Sequence, residues 1–140
     1  MPLELSSLQK AVAALAGVLA KSDDTEFMNS LDDVARNAIK SGAIQHFEFT
    51  YELSWKFIKR WLEMNVSPST ADGVTRRELF RLAAENRLID DVNEWMRYHE
   101  ARNQTSHTYQ PEIAEAVYKT AHDFSRAAAR LLAALEARND

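Results

Sequence analysis

The segment AIQHFEFTYELSWKFIKRWL, residues 43–62, decides the fold because it is apolar on more than one face of a helix. Its large apolar residues are Ile44, Phe47, Phe49, Tyr51, Leu53, Trp55, Phe57, Ile58, Trp61 and Leu62. A helix that is apolar nearly all round is buried nearly all round. The other long segments also show helical periodicity, and no strand-like alternation of useful length interrupts them. The sequence therefore predicts an all-α antiparallel helical bundle, formed by one domain over residues 1–140.

This apolar segment belongs to the longest of four to five predicted helices. A stripe of apolar residues spaced three or four apart places the first helix over residues 5–19. The second helix runs from about Glu26 to Met64, and Gly42 is the one position that could break it. At 1.5 Å per residue, the second helix would be about 58 Å long and the first about 28 Å. Either the long helix breaks near Gly42, or something else covers its overhang.

A second subunit is the simplest cover for the surplus apolar surface. We therefore expect a homodimer in which Phe47, Tyr51 and Trp55 lie near a cleft shared by the two copies. The alternative is a kinked helix that is wrapped by its own chain.

Later helix starts are marked by local signals. The stretch NVSPSTADGV, residues 65–74, predicts a loop after the long helix. Each of the three following helices has a capping residue or a proline suited to its first turn: Thr75 with Glu78, Asp90, and Pro111.

Composition and charge restrict the classes of function. The 140 residues carry a formal net charge of −4, from 17 basic and 21 acidic residues, so any RNA contact must come from a local patch. The absence of cysteine excludes disulfides and thiolate chemistry and suits a reducing cytosol. No apolar run approaches the roughly 18 residues needed to cross a bilayer, and the N-terminal MPLELSSLQK lacks the features of a secretory signal. We expect a cytoplasmic protein with no membrane partner.

The stretch RNQTSHTY, residues 102–109, is the strongest candidate for chemistry. Arg102 continues the apolar stripe of its helix, so its guanidinium points towards the core or an interface and needs an anionic partner or a wet cleft. His107 lies about 140° further round, but residues 104–106 have mediocre helix propensity, so the last turn can loosen and bring the imidazole back towards Arg102. An arginine that holds a phosphate and a histidine that moves a proton suit phosphodiester chemistry. The alternative is a buried ion pair followed by an ordinary helix-end histidine.

Other polar groups give weaker signals. A polar row on the long helix is either a seam of pairs within that helix or one wall of a cleft: Gln45, Glu48, Glu52 and Lys56. Two basic clusters are either solvated faces or contacts for an RNA backbone or an acidic partner: Lys56, Lys59 and Arg60, and then Arg76, Arg77 and Arg81. His46 does not share a helix face with Glu48, so we expect no metal site, and no cofactor motif is present.

Three blocks carry a resemblance to a known family: IQHFEFTYELSWK (44–56), LID (88–90) followed by Trp95, and RNQTSHTY (102–109). In this order and separation they resemble the HEPN superfamily, and within it the nucleotidyltransferase substrate-binding proteins, which include the HepT toxins. The resemblance covers residues from about 5 to 137. It implies a helical bundle that dimerises with both motifs lining one cleft. In active members it implies a metal-independent ribonuclease, neutralised by a minimal nucleotidyltransferase that serves as its antitoxin.

The resemblance also implies roles for single residues. Arg102, Asn103 and His107 match the motif of the catalytic residues, and Tyr109 matches the tyrosine to which the partner of the toxin group attaches AMP. We interpret the chain as a HepT-like toxin that cleaves RNA. The alternatives are a non-catalytic subunit that presents a substrate or nucleotide to the nucleotidyltransferase, and a helical dimerisation module.

Two helix ends near these blocks depart from the family pattern. Arg87 stands where the family commonly has glycine, and Gln110 stands where an acidic residue is usual, so both bear on cap geometry. Because Gln110 precedes Pro111, it is pushed towards an extended conformation. We therefore expect the hydroxyl of Tyr109 to reach solvent, and the alternative is a tyrosine packed on the bundle.

Overall fold

The computed structural model describes residues 2–139, and within them it contains six α-helices and one short 3₁₀ helix. The α-helices are α1 (Ser6–Asp23), α2 (Thr25–Asn29), α3 (Asp33–Asn65), α4 (Arg76–Glu85), α5 (Val92–Asn103) and α6 (Pro111–Ala137). The 3₁₀ helix covers Gln104–His107. No strand occurs in this range, so the predicted all-α class is confirmed. Among the described residues, no helix combines the length and apolar character that crossing a bilayer requires.

The predicted long second helix is in fact two helices. After α2, a new helix begins at Asp33, where the Asp32 carboxylate accepts a hydrogen bond of 2.8 Å from the amide of Ala35. This cap pairs an amide that the first turn of a helix leaves free. From there α3 continues for 33 residues, with no break at Gly42. One very long helix is therefore confirmed, but a continuous helix from Glu26 was wrong.

Aromatic rings from α3, α4, α5 and α6 form the centre of the core. Phe47 and Tyr51 of α3 are 0% and 1% exposed. The ring of Phe47 packs edge to face against the ring of Phe124, with 5.2 Å between their centres. Trp95 packs against the same Phe124 ring, with 5.6 Å between centres. Such pairs add to the stabilisation from burial. Phe47 and Tyr51 thus belong to the interior of one chain rather than to a shared cleft, because the chain's own helices cover them.

Capping residues explain the remaining helix starts, with one correction. The Thr75 hydroxyl accepts a hydrogen bond of 3.1 Å from the amide of Glu78, and Pro111 occupies the first turn of α6, as predicted. The predicted loop between α3 and α4 is also confirmed. However, α5 is capped by Asp91, whose carboxylate accepts two first-turn amides at 2.8 and 3.4 Å. Asp90 was the wrong residue because it lies one position too early to reach them.

The chain leaves α4 through a left-handed residue. Arg87 has a φ of +61°, a backbone region that costs a residue with a side chain and suits glycine. The amides of Arg87 and Leu88 donate to the carbonyls of Ala84 and Ala83 at 3.0 and 2.9 Å, which closes the end of the helix.

Candidate functional site

An open concavity lies between the middle of α3 and the end of α5. Gln45, Glu48 and Glu52 from α3 border it together with Arg102 from α5, and its volume is about 410 Å³. Three of the four polar residues of the predicted row on α3 therefore lie beside the candidate arginine. The fourth, Lys56, lies outside, exposed to solvent with its ammonium 5.7 Å from the centre of the Trp55 ring.

Arg102 is held by two carboxylates. Its Nε lies 3.1 Å from Oε1 of Glu52, and its Nη1 lies 3.5 Å from Oε2 of Glu48. Nη1 also donates to Thr105 Oγ1 at 3.3 Å, and the Thr105 hydroxyl donates to Glu48 Oε2 at 2.5 Å. Among the hydrogen bonds of residues 2–139, none uses Nη2 of Arg102. The side chain is 31% exposed, so the guanidinium is fixed in direction yet keeps a face towards the concavity.

Instead of loosening, the chain after α5 winds into the 3₁₀ helix at Gln104–His107. The tighter turn brings Thr105, and not His107, against the guanidinium of Arg102. His107 is exposed, and its ring centre lies 6.3 Å from that of Tyr109. Thr105 was missed as a site residue because a threonine in a helix end carries no distinctive signal.

A buried tyrosine and a histidine continue the site away from Arg102. The Tyr51 hydroxyl and His99 Nδ1 are 2.8 Å apart, and His99 Nε2 lies 3.5 Å from the side-chain nitrogen of Asn103. Burial lowers the pKa of His99, and the nearby positive charge of Arg76 acts in the same direction. Burial likewise raises the pKa of the Tyr51 hydroxyl. The histidine therefore favours its neutral form, in which one ring nitrogen donates and the other accepts, and it links the core to the exposed Asn103.

A second guanidinium, that of Arg76, is connected to Glu52 through Trp55. The indole Nε1 of Trp55 donates to Glu52 Oε2 at 3.1 Å, and the guanidinium carbon of Arg76 lies 3.6 Å from the centre of the Trp55 ring. In the sequence Arg76 belongs to a basic cluster with no visible connection to Arg102, because α4 and α5 meet α3 only through the tertiary fold.

Tyr109 occupies a different groove. Its side chain is 77% exposed, and with Lys40 and Pro111 it borders a groove of about 360 Å³ between the beginnings of α3 and α6. Gln110 has an extended backbone, with a φ of −88° and a ψ of 118°, and its side-chain amide donates to the Tyr109 hydroxyl at 3.3 Å.

Candidate metal ligands do not gather in the described part of the chain. Residues 2–139 contain no group of three or more histidine and carboxylate side chains placed to hold one ion. His46 borders the concavity of Arg102, but among the described residues it belongs to no group of three candidate ligands.

Comparison with known proteins gives consistent similarities. Residues 3–137 match the family model described as nucleotidyltransferase substrate binding protein like. A Haemophilus influenzae protein named probable ribonuclease HepT is 34% identical over 138 residues, which cover 98% of this chain and 94% of that protein. A solved Haemophilus influenzae structure, described as the fold of a substrate binding domain of a nucleotidyltransferase, superposes with a TM-score of 0.91 at 33% identity, over 95% of this chain and 99% of that one. A Thermus thermophilus structure superposes with a TM-score of 0.72 at 26% identity, over 91% and 98% of the two chains.

Proposed function

This chain belongs to the nucleotidyltransferase substrate binding protein like family, and from that premise we propose that it is a HepT-like endoribonuclease that cleaves RNA without a metal ion. The relative named probable ribonuclease HepT supports this proposal. The observation that carries it is the arrangement at the end of α5. There a half-buried arginine, fixed by two carboxylates, stands one turn before an exposed histidine.

In the proposed reaction, His107 removes the proton from a ribose 2′-hydroxyl. The freed oxygen attacks the adjacent phosphorus, and the bond from phosphorus to the 5′-oxygen of the next nucleotide breaks. Arg102 stabilises the charge that develops on the phosphate oxygens, and Asn103 orients one of the reacting groups. The leaving 5′-oxygen takes a proton from an imidazolium. The products are a 2′,3′-cyclic phosphate and a free 5′-hydroxyl.

A single exposed histidine must act as base and acid in turn, whereas two copies of the chain can divide these tasks. We propose a homodimer in which His107 of one copy serves as base and His107 of the other as acid. Phe49 of α3 supports an interface beside the site, since its large apolar side chain is 56% exposed and borders the Arg102 concavity.

In this proposal the RNA phosphate binds to the Nη2 edge of Arg102. Nε and Nη1 already point at Glu52, Glu48 and Thr105, so the donors of Nη2 remain for a ligand. A guanidinium whose stem is fixed loses less entropy when it binds.

We further propose that a partner nucleotidyltransferase, acting as antitoxin in the cytoplasm, silences the enzyme by adding AMP to Tyr109. The phenolic oxygen would attack the α-phosphorus of ATP, pyrophosphate would leave, and the phenolic proton would pass to a base of the partner or to water. The high exposure of Tyr109 supports access by a second protein. The added group would lie beside His107, whose ring centre is 6.3 Å from that of Tyr109, and would exclude RNA by volume and by charge.

The test is an assay of end-labelled RNA with partner-free protein, with and without EDTA. We expect products that end in a 2′,3′-cyclic phosphate and a 5′-hydroxyl, in equal yield under both conditions. Loss of cleavage in EDTA would overturn the metal-independent mechanism, and products with 3′-hydroxyl ends would overturn attack by the 2′-oxygen.

The second candidate is a non-catalytic subunit that presents a ligand to the nucleotidyltransferase. The description of the Haemophilus influenzae structure as a substrate binding domain favours it. It predicts that purified chain binds a nucleotide or other phosphate compound in the Arg102 concavity and leaves RNA intact at every protein concentration.

A further inference from the structure

Within the described residues Arg76 has no anionic partner, whereas six of the eleven arginines pair with a carboxylate. Within residues 2–139, no carboxylate oxygen lies within 4.0 Å of its nitrogens, and its Nε is buried without a hydrogen-bond partner. Arg81, one turn further along α4, pairs with both Glu78 and Glu85. The half-buried guanidinium therefore keeps one desolvated donor, Nε, without an acceptor, which costs free energy until a ligand supplies one.

The position of Arg76 is fixed by stacking. Its guanidinium lies 3.6 Å from the centre of the Trp55 ring, within van der Waals contact of the aromatic face. Trp55 in turn is fixed by its hydrogen bond to Glu52. A flat cation held against a flat ring cannot swing freely into solvent, so its direction is set before any ligand arrives.

Arg102 contacts Glu52 directly, and Arg76 is connected to the same carboxylate through Trp55. Glu52 accepts a hydrogen bond from Arg102 through Oε1 and one from Trp55 through Oε2. The guanidinium of Arg76 stacks on the ring of Trp55. Both arginines also lie close enough to Tyr51 and His99 for their positive charges to act on the pKa of the tyrosine and of the histidine, in the lowering direction in both cases. The two guanidiniums therefore belong to one site, although they come from different helices.

The positive charge of Arg76 changes the net charge around Arg102. Arg102 faces two carboxylates, Glu48 and Glu52, so this part of the site alone has an excess of negative charge and repels a phosphate. Arg76 cancels that excess, and the exposed Lys56 beside Trp55 adds a further positive charge. A phosphate approaching Arg102 thus needs Arg76 close by.

We propose that Arg76 is a second phosphate-binding arginine, which pairs with a phosphodiester of the same single-stranded RNA that Arg102 contacts. The inference rests on the proposed ribonuclease function and adds a residue outside the Arg102–His107 motif. Trp55 acts as the positioning residue that holds the guanidinium. The competing role for Arg76 is purely structural, in which stacking on Trp55 stabilises the packing of α4 on α3.

The experiment measures binding of a fluorescent 2′-O-methyl oligoribonucleotide, which lacks the attacking hydroxyl and so stays intact. Fluorescence anisotropy gives the dissociation constant at several salt concentrations for wild type, Arg76→Gln and Arg77→Gln. Arg77 is the matched control, since it is exposed on the same turn and donates to Asn93 at 3.2 Å. We expect Arg76→Gln to weaken binding about tenfold and to reduce the slope of log K against log salt by about 0.7, the value for one phosphate contact to a single strand. Arg77→Gln should change affinity less than about twofold.

Further arms separate the possible outcomes. Arg76→Lys keeps the charge and loses the flat stacking surface, so it should keep the wild-type salt slope. Arg76→Met removes the charge but keeps a long apolar side chain against Trp55, so it should lower the slope as Arg76→Gln does and replaces that variant if it does not fold. A lower melting temperature with an unchanged salt slope in the folded variants that lack the charge would establish the structural role and overturn the inference. An absence of oligonucleotide binding by wild type would overturn it as well. Cleavage of unmodified RNA is scored separately. If binding depends on Arg76 but RNA is not cleaved, the ribonuclease proposal alone is wrong. If RNA is cleaved but binding does not depend on Arg76, this inference alone is wrong.

Discussion

Replacing Glu52 by glutamine should tighten RNA binding while costing little stability. The substitution keeps the size of the side chain, and its one amide oxygen can still accept from Trp55 Nε1, which now lies 3.1 Å from Glu52 Oε2. The amide NH2 group then faces Arg102 Nε and no longer accepts from it. It removes the negative charge that lies 3.1 Å from Arg102 Nε. A phosphate on the Nη2 edge of Arg102 would then meet one carboxylate fewer.

The structure limits both the loss of stability and the gain in RNA affinity of Glu52→Gln. The side chains of Arg102 and Glu52 are 31% and 34% exposed, so their pair resembles a surface ion pair, and its loss should lower the free energy of unfolding by about 0.2–1 kcal/mol. A phosphate across the guanidinium would sit about 6 Å from the carboxylate, where two unit charges repel by about 0.7 kcal/mol in water and about 2.8 kcal/mol at an effective dielectric constant of 20. Because the site is open, the lower value applies, and binding should tighten about threefold.

The assay uses anisotropy with the uncleavable oligonucleotide, and chemical denaturation gives the stability. Glu63→Gln is the matched control, since Glu63 lies on the same helix and pairs with Lys59 at 3.6 Å with a side chain that is 32% exposed. It should lose similar stability without gaining affinity. Glu48 and Thr105 still hold Nη1 of Arg102 in this variant, so the guanidinium keeps its direction. Unchanged or weaker binding by Glu52→Gln would therefore refute the placement of the phosphate on Arg102.

Three other predictions follow from single residues. Arg87→Gly should raise the free energy of unfolding by about 0.5–1 kcal/mol in a denaturant titration, because glycine adopts the φ of +61° without strain; a loss of stability would contradict this reading of the helix end. Because burial lowers the pKa of His99 below its ordinary value of 6.5, the unfolded chain takes up the proton first as the solution is acidified. Stability should therefore fall as the pH drops from about 6.5 through the lowered pKa, and a His99→Gln variant that shows the same fall would exclude His99 as its source. Co-expression with the cognate nucleotidyltransferase should add AMP mass to the peptide that contains Tyr109, and Tyr109→Phe should escape silencing; an unmodified Tyr109 in fully silenced protein would leave steric blocking as the account.

Much of the fold could be predicted because its signals are local. Apolar periodicity located the long helix, and Thr75 and Pro111 marked helix starts through interactions within a few residues. The break before α3 was missed because periodicity continues across it, while the Asp32 cap that causes it depends on one side chain. The surplus apolar surface was overestimated for a related reason. The spacing shows that Phe47 is apolar on its helix, but not that Phe124 covers it.

The candidate site was predictable as far as it lies in one segment. Arg102 on an apolar stripe required an anionic partner, and Glu48 and Glu52 supply it. The contacts that complete the site join distant parts of the chain. Tyr51 meets His99, and Trp55 meets Arg76, only after three helices pack together, so no spacing rule could connect them.

The most direct measurement is the single-turnover rate of RNA cleavage by partner-free wild type, His107→Ala and His122→Gln. His122 is the matched control because it is a histidine of α6 outside the motif, and its Nε2 contacts Oδ1 of Asp23 at 2.8 Å. Removal of a general acid–base group should slow cleavage about 10²- to 10⁴-fold in His107→Ala, while His122→Gln should cleave at the wild-type rate and circular dichroism should show all three folded. Full activity in folded His107→Ala would contradict the account, since no other group in it moves the proton.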